Sequence, residues 1–255
     1  MTWRWKTIRK IWVLTGSAAF LLFTVWNVLS YRTWNVEVRI LQSDARVSVT
    51  RDAEAIRFLP ADDHAQPGLL YFPGALVNPE AYAPFARRVA EAGYPAIIVL
   101  IPLRNSPLAD ESAALQQALR LMESSPSEWI VGGHSRGGYL AARFAQLHAD
   151  KIKGLLLVGT SHPHGFDLSR LTIPVTRVFG SRDGLASEDE VKQFAGNLPA
   201  HASFERVEGG NHAQFGYYGF QFGDRTATIS REQQHDALFR AAHALLAAIE
   251  AQHRK

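Results

Sequence analysis

Three residues that lie far apart in the sequence have side chains that could act together on a substrate. Ser135 lies in the run G-H-S-R-G at 133–137, Asp183 in S-R-D-G, and His212 in G-G-N-H. A serine hydroxyl is a poor nucleophile at neutral pH unless a neighbouring base takes its proton. An imidazole is such a base, and a carboxylate can hold the imidazole in the required tautomer. These residue types therefore predict nucleophilic catalysis at a serine.

The run G-H-S-R-G fits a tight turn from a strand into a helix. It follows the apolar run W-I-V-G and precedes G-Y-L-A-A-R-F-A, which has helical spacing. Side chains next to the serine would clash in such a turn, so glycines flank it, and the hydroxyl projects above the sheet. This setting favours a nucleophile over the alternative, a turn serine without chemistry.

The elements that must position these residues alternate along the chain. Apolar runs predict strands at 68–72, 95–102, 129–133, 152–159, 174–180 and 202–207, and helices are expected from Asn78, over about 110–123 and 136–149, and from Ser230 to about 250. This alternation predicts an α/β fold, a mostly parallel sheet with helices on both faces. Residues 36–59 predict two or three short strands and residues 60–68 a loop. Residues 31–255 are expected to form one α/β domain.

Four segments carry a resemblance to a known family. They are Y-F-P-G-A-L-V at 71–77, G-G-H-S-R-G-G at 132–138, F-G-S-R-D-G at 179–184 and G-G-N-H-A-Q-F-G at 209–216. They resemble the α/β-hydrolase superfamily, and more narrowly its compact fold-5 domains, whose chain order is also Ser, Asp, His. The resemblance covers residue 68 to about residue 250. It implies an α/β-hydrolase fold in which Ser135, Asp183 and His212 form a catalytic triad.

Acyl transfer through such a triad also needs two amide donors for the oxyanion of the intermediate. We expect one donor to be the backbone N–H of Arg136, which follows the serine, and the other to lie just after residues 73–74. Ala75 is the predicted second donor, with Leu76 as the alternative.

Other polar and aromatic residues allow more than one interpretation. Asp224, in F-G-D, is the alternative acid if Asp183 does not serve. The run H-P-H at 162–164 resembles a metal pair, but the intervening proline and the lack of an obvious third ligand favour a rim loop at the substrate site. The aromatic run F-G-Y-Y-G-F-Q-F at 215–222 predicts either core packing or a pocket wall.

Composition excludes several classes of function. The chain has 255 residues, of which 47% are hydrophobic and 20% charged, so it can bury a sizeable core. The absence of cysteine excludes a disulfide framework, a cysteine zinc site, an iron–sulfur cluster and a thiol nucleophile. The glycine-rich turn lacks the G-x-G-x-x-G pattern of dinucleotide sites, and we predict no cofactor and no metal.

The charge distribution argues against a nucleic-acid partner. The formal net charge is +3, and without Arg4, Lys6, Arg9 and Lys10 it would be −1. The main body therefore has no basic face that could follow a phosphate backbone.

The N-terminal segment is expected to bind a membrane. Residues 11–30 hold no charge, and twenty helical residues rise about 30 Å, the thickness of a hydrocarbon core. The aromatic residues that suit the interfaces near its ends are Trp3, Trp5, Trp12, Trp26, Tyr31 and Trp34. The basic start predicts a cytoplasmic tip at 1–10, a single-pass anchor at 11–30 and the remainder outside. A cleaved signal peptide and a buried core helix are the alternatives.

The leading hypothesis is a membrane-anchored serine hydrolase that cleaves a carboxylic ester or thioester of a small-molecule acyl substrate through an acyl-serine intermediate. About fourteen residues separate Gly159 from Pro174, too few for an independent lid, which favours a small or flexible acyl group. The same triad serves amidases, peptidases and acyltransferases, which remain alternatives. From a different class, the chain could be a catalytically silent binding module.

Overall fold

The computed structural model describes residues 2–61, 67–124 and 128–253, without the side chains of residues 2–4 and 253. In this part of the chain eight strands form one sheet: β1 (Val47–Arg51), β2 (Ala55–Pro60), β3 (Gly68–Phe72), β4 (Ala96–Val99), β5 (Trp129–His134), β6 (Gly154–Val158), β7 (Val175–Gly180) and β8 (Ser203–Val207). Their spatial order is β1-β2-β4-β3-β5-β6-β7-β8. The pairs from β4 to β8 are parallel, whereas β2 is antiparallel to β1 and β4. The predicted α/β fold is confirmed.

Helices cover both faces of the sheet. They are α2 (Ala83–Glu91), α3 (Glu111–Glu123), α4 (Arg136–Leu147), α5 (Glu188–Gln193) and α6 (Arg231–His253), preceded by the N-terminal α1 (Thr2–Ser30). In β3, Leu69 and Tyr71 pack into the core shared with α2 and α6, and Leu70 and Phe72 into the core shared with α3 and α4. Because successive side chains alternate between faces and both faces are covered, the strand is apolar throughout.

The strand prediction before residue 60 is partly wrong. The runs V-S-V-T and A-I-R-F-L lie in β1 and β2, but V-E-V-R-I-L contains a 3-10 turn, Val38–Leu41. None of the four turn residues is buried. Their alternating pattern therefore covers no sheet face, and the Ile40 N–H donates locally to the Glu37 carbonyl at 3.0 Å. Of the loop predicted at 60–68, residues 62–66 lie outside the described residues.

Capping motifs explain where two helices begin. The Ser230 and Gln233 side chains each bond the other's backbone N–H, which confirms the predicted start of α6. The sequence prediction missed α5, although Ser187 and Glu190 form the same kind of capping box. The helix predicted from Asn78 starts as a 3-10 turn before it becomes α2.

Helix α1 is long and apolar enough to cross a membrane, judged by its length and composition. Its stretch Trp5–Ser30 has 26 residues with a mean hydropathy of 1.7, and its most apolar part is not buried against the remainder of the protein. The alternative of a buried core helix is therefore wrong. A signal sequence near the N-terminus meets the same criteria.

Candidate active site

The sheet brings the predicted site residues to one edge. Ser135 follows β5 directly, and Asp183 and His212 lie in the loops that follow β7 and β8. Because β5 to β8 are all parallel, these loops leave the same carboxyl edge of the sheet. Ligands of open α/β folds bind outside that edge.

Ser135 adopts a rare backbone conformation, with φ 56° and ψ −121°. Residues other than glycine are strained at positive φ, and such strain is concentrated at functional sites. The flanking glycines make the turn possible. A Cβ on Gly133 would lie 2.2 Å from the Gly137 carbonyl oxygen, and one on Gly137 would lie 2.0 Å from that of Phe72. The Ser135 N–H donates to the Val158 carbonyl at 2.9 Å, which fixes the turn to β6.

His212 and Asp183 form a buried pair, and each residue is 1% exposed. His212 Nδ1 lies 2.9 Å from Asp183 Oδ2 and 3.1 Å from Oδ1. Oδ1 also accepts from the backbone N–H groups of Leu185 and Ala186, at 2.8 and 2.7 Å. Because a carboxylate only accepts hydrogen bonds, Nδ1 carries the proton and Nε2 presents a lone pair. The ring is therefore in the tautomer that a general base needs.

The environment of His212 changes its basicity. Burial lowers the pKa of the imidazole, but the charge of Asp183, its hydrogen bond and the charge of Asp224 outweigh burial, so the pKa is raised above its ordinary value. A neighbouring negative charge favours the imidazolium form. The pair is thus suited to hold a proton taken from a nucleophile.

Ser135 and His212 line one cleft of about 400 Å³. In the part of the chain that the structure describes, the buried His212 Nε2 has no hydrogen-bond partner, the Ser135 hydroxyl included. Catalytic hydrogen bonds are often long without substrate and shorten when it binds. Ser135 and His212 therefore border the same space.

The two predicted oxyanion donors, Ala75 and Arg136, also line this cleft. Neither backbone N–H has a hydrogen-bond partner among the described residues. By contrast, the N–H of Leu76, the alternative donor, donates to the Arg104 carbonyl at 2.6 Å. The geometry therefore favours Ala75 over Leu76.

A strained loop after β4, which no sequence pattern predicted, contacts residues 73–76 from behind. The Asn105 side chain donates to the Pro73 carbonyl at 2.8 Å. Three consecutive residues that are not glycine, 103–105, have φ of 54°, 50° and 51°. Such conformations persist only where surrounding contacts impose them. No glycine marks this loop, so the sequence gives no signal for it.

A second buried histidine adjoins the first. His134 Nδ1 lies 2.9 Å from the Tyr82 hydroxyl, which in turn accepts from the Gly74 N–H at 3.0 Å. The hydroxyl hydrogen is therefore available to His134, whose ring centroid lies 4.5 Å from that of His212. Burial, and then the charge of His212, holds the pKa of His134 well below its ordinary value. This neutral unit orients the backbone before Ala75, and no motif in the sequence indicated it.

Asp224, the alternative acid, contacts the backbone of His212 and not its ring. Its Oδ1 accepts from the N–H groups of His212 and Gly184 at 3.2 and 3.1 Å, and Oδ2 accepts from Ala213 at 2.9 Å. Asp224 therefore joins the loops that carry Asp183 and His212, and of these two carboxylates it is Asp183 that bonds to the imidazole.

The H-P-H run lies in the cleft wall through His162 and His164, at the position predicted from the sequence. His162 and His164 stack with ring centroids 4.1 Å apart, and the Ser161 hydroxyl lies 2.7 Å from His164 Nε2. Burial, and then the charges of His164 and Arg177, lowers the pKa of His162 to about 4. The described residues contain no group of three or more His, Cys, Asp or Glu that could hold a metal ion. His164 of this run instead forms a serine–histidine contact with Ser161 in the cleft wall.

The Arg136 side chain is a positive charge at the cleft. Its Nε is buried without a hydrogen-bond partner, and its guanidinium carbon lies 5.9 Å from the Tyr139 ring centroid. No carboxylate of the described residues lies within ion-pair distance of it.

Solved structures with this fold include three proteins of low sequence identity. Est1E from Butyrivibrio proteoclasticus, with ferulic acid bound, is 13% identical with a TM-score of 0.57, and the match covers 79% of this chain and 96% of Est1E. A protein assigned as a dienelactone hydrolase from Klebsiella pneumoniae subsp. pneumoniae is 17% identical with a TM-score of 0.57, over 76% and 92% of the two chains. A CIB-like hydrolase from Thermoplasma acidophilum is 14% identical with a TM-score of 0.56, over 65% and 89%.

The sequence comparisons give one significant family. No curated protein matches the chain, but a sequence model of the alpha/beta hydrolase family matches residues 68–236. This match covers more than half of the chain and includes Ser135, Asp183 and His212. It confirms hydrolase as the enzyme class expected from the sequence. The chain belongs to the alpha/beta hydrolase family.

Proposed function

We propose that the protein is a membrane-anchored serine hydrolase that cleaves a carboxylic ester or thioester through an acyl-serine intermediate. The observation that carries this proposal is the buried His212, which lines the same cleft as Ser135, with its Nδ1 bonded to Asp183 and its Nε2 without a partner among the described residues. A dienelactone is a cyclic ester, so the Klebsiella protein assigned as a dienelactone hydrolase supports an ester as the bond.

In the first half-reaction, His212 Nε2 takes the Ser135 hydroxyl proton while Oγ bonds to the carbonyl carbon. The resulting oxyanion accepts from the N–H groups of Ala75 and Arg136, and Asp183 stabilises the imidazolium. His212 then gives its proton to the leaving alcohol or thiol as the bond to the carbonyl carbon breaks. The acyl group stays on Ser135.

In the second half-reaction, water is the nucleophile and His212 again the base. His212 takes a proton from the water as its oxygen bonds to the acyl carbon, and then returns that proton to Ser135 Oγ as the acyl–serine bond breaks. The products are the carboxylic acid and the regenerated serine, so water is the only co-reactant.

A small or flexible acyl group fits this cleft. The connection from β6 to β7, residues 159–174, contains no helix that could act as a lid, and the cleft volume is about 400 Å³. A strong preference for long-chain triglycerides over short-chain esters, measured as kcat/KM, would contradict this part of the proposal.

Active-site titration with a fluorophosphonate tests the mechanism. Full-length protein in detergent is expected to bind one probe per chain, and Ser135→Ala and His212→Ala are expected to bind none while keeping the parent circular dichroism. Ser161→Ala is the matched control, because Ser161 lies in the same cleft beside another histidine. Labelling that is lost in Ser161→Ala and kept in Ser135→Ala would assign the wrong nucleophile. A folded parent that takes no probe would favour the silent binding module.

The proposed anchor is the apolar segment 11–30, with residues 1–10 in the cytoplasm and residues 31–255 outside. The exposed apolar surface of α1 and the basic residues before the segment support it. The chain has no native cysteine, so a membrane-impermeant maleimide should label Gln252→Cys, but not the parent, on intact cells. Labelling only after lysis would contradict the orientation. A mature mass shorter by the apolar segment would favour a cleaved signal.

A further inference from the structure

The end of α1 is joined to the aromatic loop, residues 216–223, which follows His212 in the chain. The Gly219 N–H donates to the Ser30 carbonyl at 2.7 Å, and the Trp34 N–H donates to the Tyr217 carbonyl at 2.7 Å. These backbone bonds fix the loop beside the last turn of the helix.

The sequence allowed the aromatic run either core packing or a pocket wall, and the structure divides it between core and surface. Phe215 and Tyr218 are fully buried, whereas Phe220 and Phe222 are 45% and 65% exposed. Gln221, between the two exposed phenylalanines, lines the cleft.

The exposed rings lie along the side of α1. The Phe222 ring meets the Phe23 ring edge-on at a centroid distance of 5.5 Å, and the Phe220 ring lies 6.3 Å from that of Trp26. All four side chains remain exposed. Contiguous exposed aromatic surface of this kind marks an interaction site.

The position of Phe23 in the helix sets the depth of this patch. Phe23 precedes Ser30 by seven residues, which is about 10 Å along a helix axis. Lys10 is the last charged residue before Arg32, so the hydrocarbon core around a spanning α1 must lie between these two residues. Phe23 lies within that core, and the Phe222 ring lies beside it at the same depth.

The same patch adjoins the mouth of the cleft. Leu185 lines the cleft and is partly exposed. It also contacts the end of the aromatic loop, since a Cβ on Gly223 would lie 3.0 Å from Leu185 Cδ2. An apolar surface therefore runs from α1 across the loop to the site.

We propose that the aromatic loop inserts Phe220 and Phe222 into the leaflet beside α1, and that the cleft takes its substrate from the bilayer as an amphiphilic ester. The ester group would enter the cleft while the rest of the acyl chain stays among the lipids, which accommodates a small cleft without a lid. This inference rests on the proposed hydrolase activity and the proposed anchor, and its tests are separable from theirs.

Depth measurement on the full chain in phosphatidylcholine nanodiscs tests the insertion. A nitroxide is attached to single cysteines at Phe222→Cys, at Phe20→Cys within α1, and at Leu147→Cys, an exposed position at the far end of α4. Power saturation with oxygen and with a water-soluble nickel chelate should place the labels at 222 and 20 in lipid and the label at 147 in water. A label in water at 222 with one in lipid at 20 would overturn the inference. Labels in water at both positions would overturn the anchor as well.

A kinetic measurement tests the substrate route. The double variant Phe220→Ser/Phe222→Ser is compared with Leu147→Ser on p-nitrophenyl acetate in solution and on p-nitrophenyl laurate in phosphatidylcholine vesicles. We expect the double variant to lose about tenfold or more on the vesicle ester and less than twofold on the acetate. Equal losses on both esters, or no loss, would overturn the route. Fluorophosphonate labelling of the same variants shows independently whether the nucleophile remains active.

Discussion

Residues 208–223, in the connection between β8 and α6, form two halves of opposite character. In the first half, residues 208–215, backbone N–H groups are held by the buried carboxylate of Asp224. In the second half, residues 216–223, Phe220 and Phe222 expose their rings beside the N-terminal helix. In the proposed enzyme one connection serves two tasks: a polar network holds the backbone of His212, and an exposed apolar surface contacts the membrane that supplies the substrate.

The largest expected effect is in the first half, at the partner of the base. Asp183→Asn should lower kcat by about 10³–10⁴-fold, because an amide can donate to Nδ1 and stabilise the wrong tautomer of His212. The variant should unfold at the parent temperature, since its side-chain oxygen can still accept from the N–H groups of Leu185 and Ala186. Asp189→Asn, an exposed position on α5, is the control. Loss of less than tenfold would contradict the assigned role.

The next effect is on stability. Asp224→Ala leaves buried N–H groups of two loops without an acceptor, which should lower the free energy of unfolding by about 3 kcal/mol. Thermal unfolding followed by circular dichroism measures it, with the exposed Asp150→Ala as the control. A stability equal to that of the parent would show that Asp224 does not hold the loops together.

The pH dependence of kcat/KM tests the first half of the loop, which carries His212. His212 must be neutral to act as a base, so kcat/KM for a soluble ester should rise with pH as the ring loses its proton. Because Asp183 raises the pKa of His212, the midpoint should lie above the ordinary histidine value of 6.5. In Asp183→Asn the burial of His212 remains but the charge of Asp183 is lost, so the pKa of His212 should fall. The midpoint of the residual activity should therefore move to lower pH. Identical midpoints in the parent and in Asp183→Asn would show that the Asp183 carboxylate does not affect the ionisation of the catalytic base.

A smaller effect is expected at Gly219, where the second half of the loop contacts the end of α1. A Cβ on Gly219 would lie 2.8 Å from Ser30 Oγ and 3.0 Å from the Ser30 carbonyl oxygen, so Gly219→Ala should separate the loop from α1. Hydrolysis of a vesicle ester should fall about threefold while that of a soluble ester stays constant. Gly196→Ala, where the added atom meets nothing within 4 Å, is the control. Equal hydrolysis of the vesicle ester by Gly219→Ala and Gly196→Ala would show that the contact between Gly219 and Ser30 does not affect hydrolysis of membrane-bound esters.

The smallest effect concerns charge selectivity at the cleft. Arg136→Leu should reduce the preference for a carboxylate-bearing ester over a neutral one by about fivefold, because a guanidinium without an ion pair is replaced by an apolar group. The ratio of kcat/KM values measures it. Arg143→Leu, which removes a residue paired with Glu111, is the control. Unchanged selectivity would show that the Arg136 side chain does not bind the substrate carboxylate, so that only its backbone N–H would take part in the proposed mechanism.

The sequence predicted what depends on local pattern. The turn at 133–137 could be recognised because neighbouring backbone leaves no room for a Cβ at Gly133 or Gly137. The alternation of apolar runs and helical segments was sufficient to predict the α/β fold. The segment V-E-V-R-I-L failed because an alternating pattern specifies a strand only where a sheet offers it a partner.

What the sequence could not predict depends on distant contacts. The left-handed loop at 103–105 has no glycine to mark it, and Tyr82 joins His134 only after the chain has folded. The packing of Phe222 on Phe23 joins residues that are 199 positions apart in the sequence. Aromatic composition indicated core packing or a pocket wall there, and the structure divides the run between the core and an exposed surface.

Identification of the residue that reacts with a fluorophosphonate would decide whether Ser135 is the nucleophile. Full-length protein is labelled to completion, digested and sequenced by mass spectrometry, so that the adduct is located without any substitution. We expect one adduct, on Ser135, whose formation slows as pH falls and His212 gains its proton. An adduct on Ser161, or a folded protein that takes no label over the whole pH range, would contradict it.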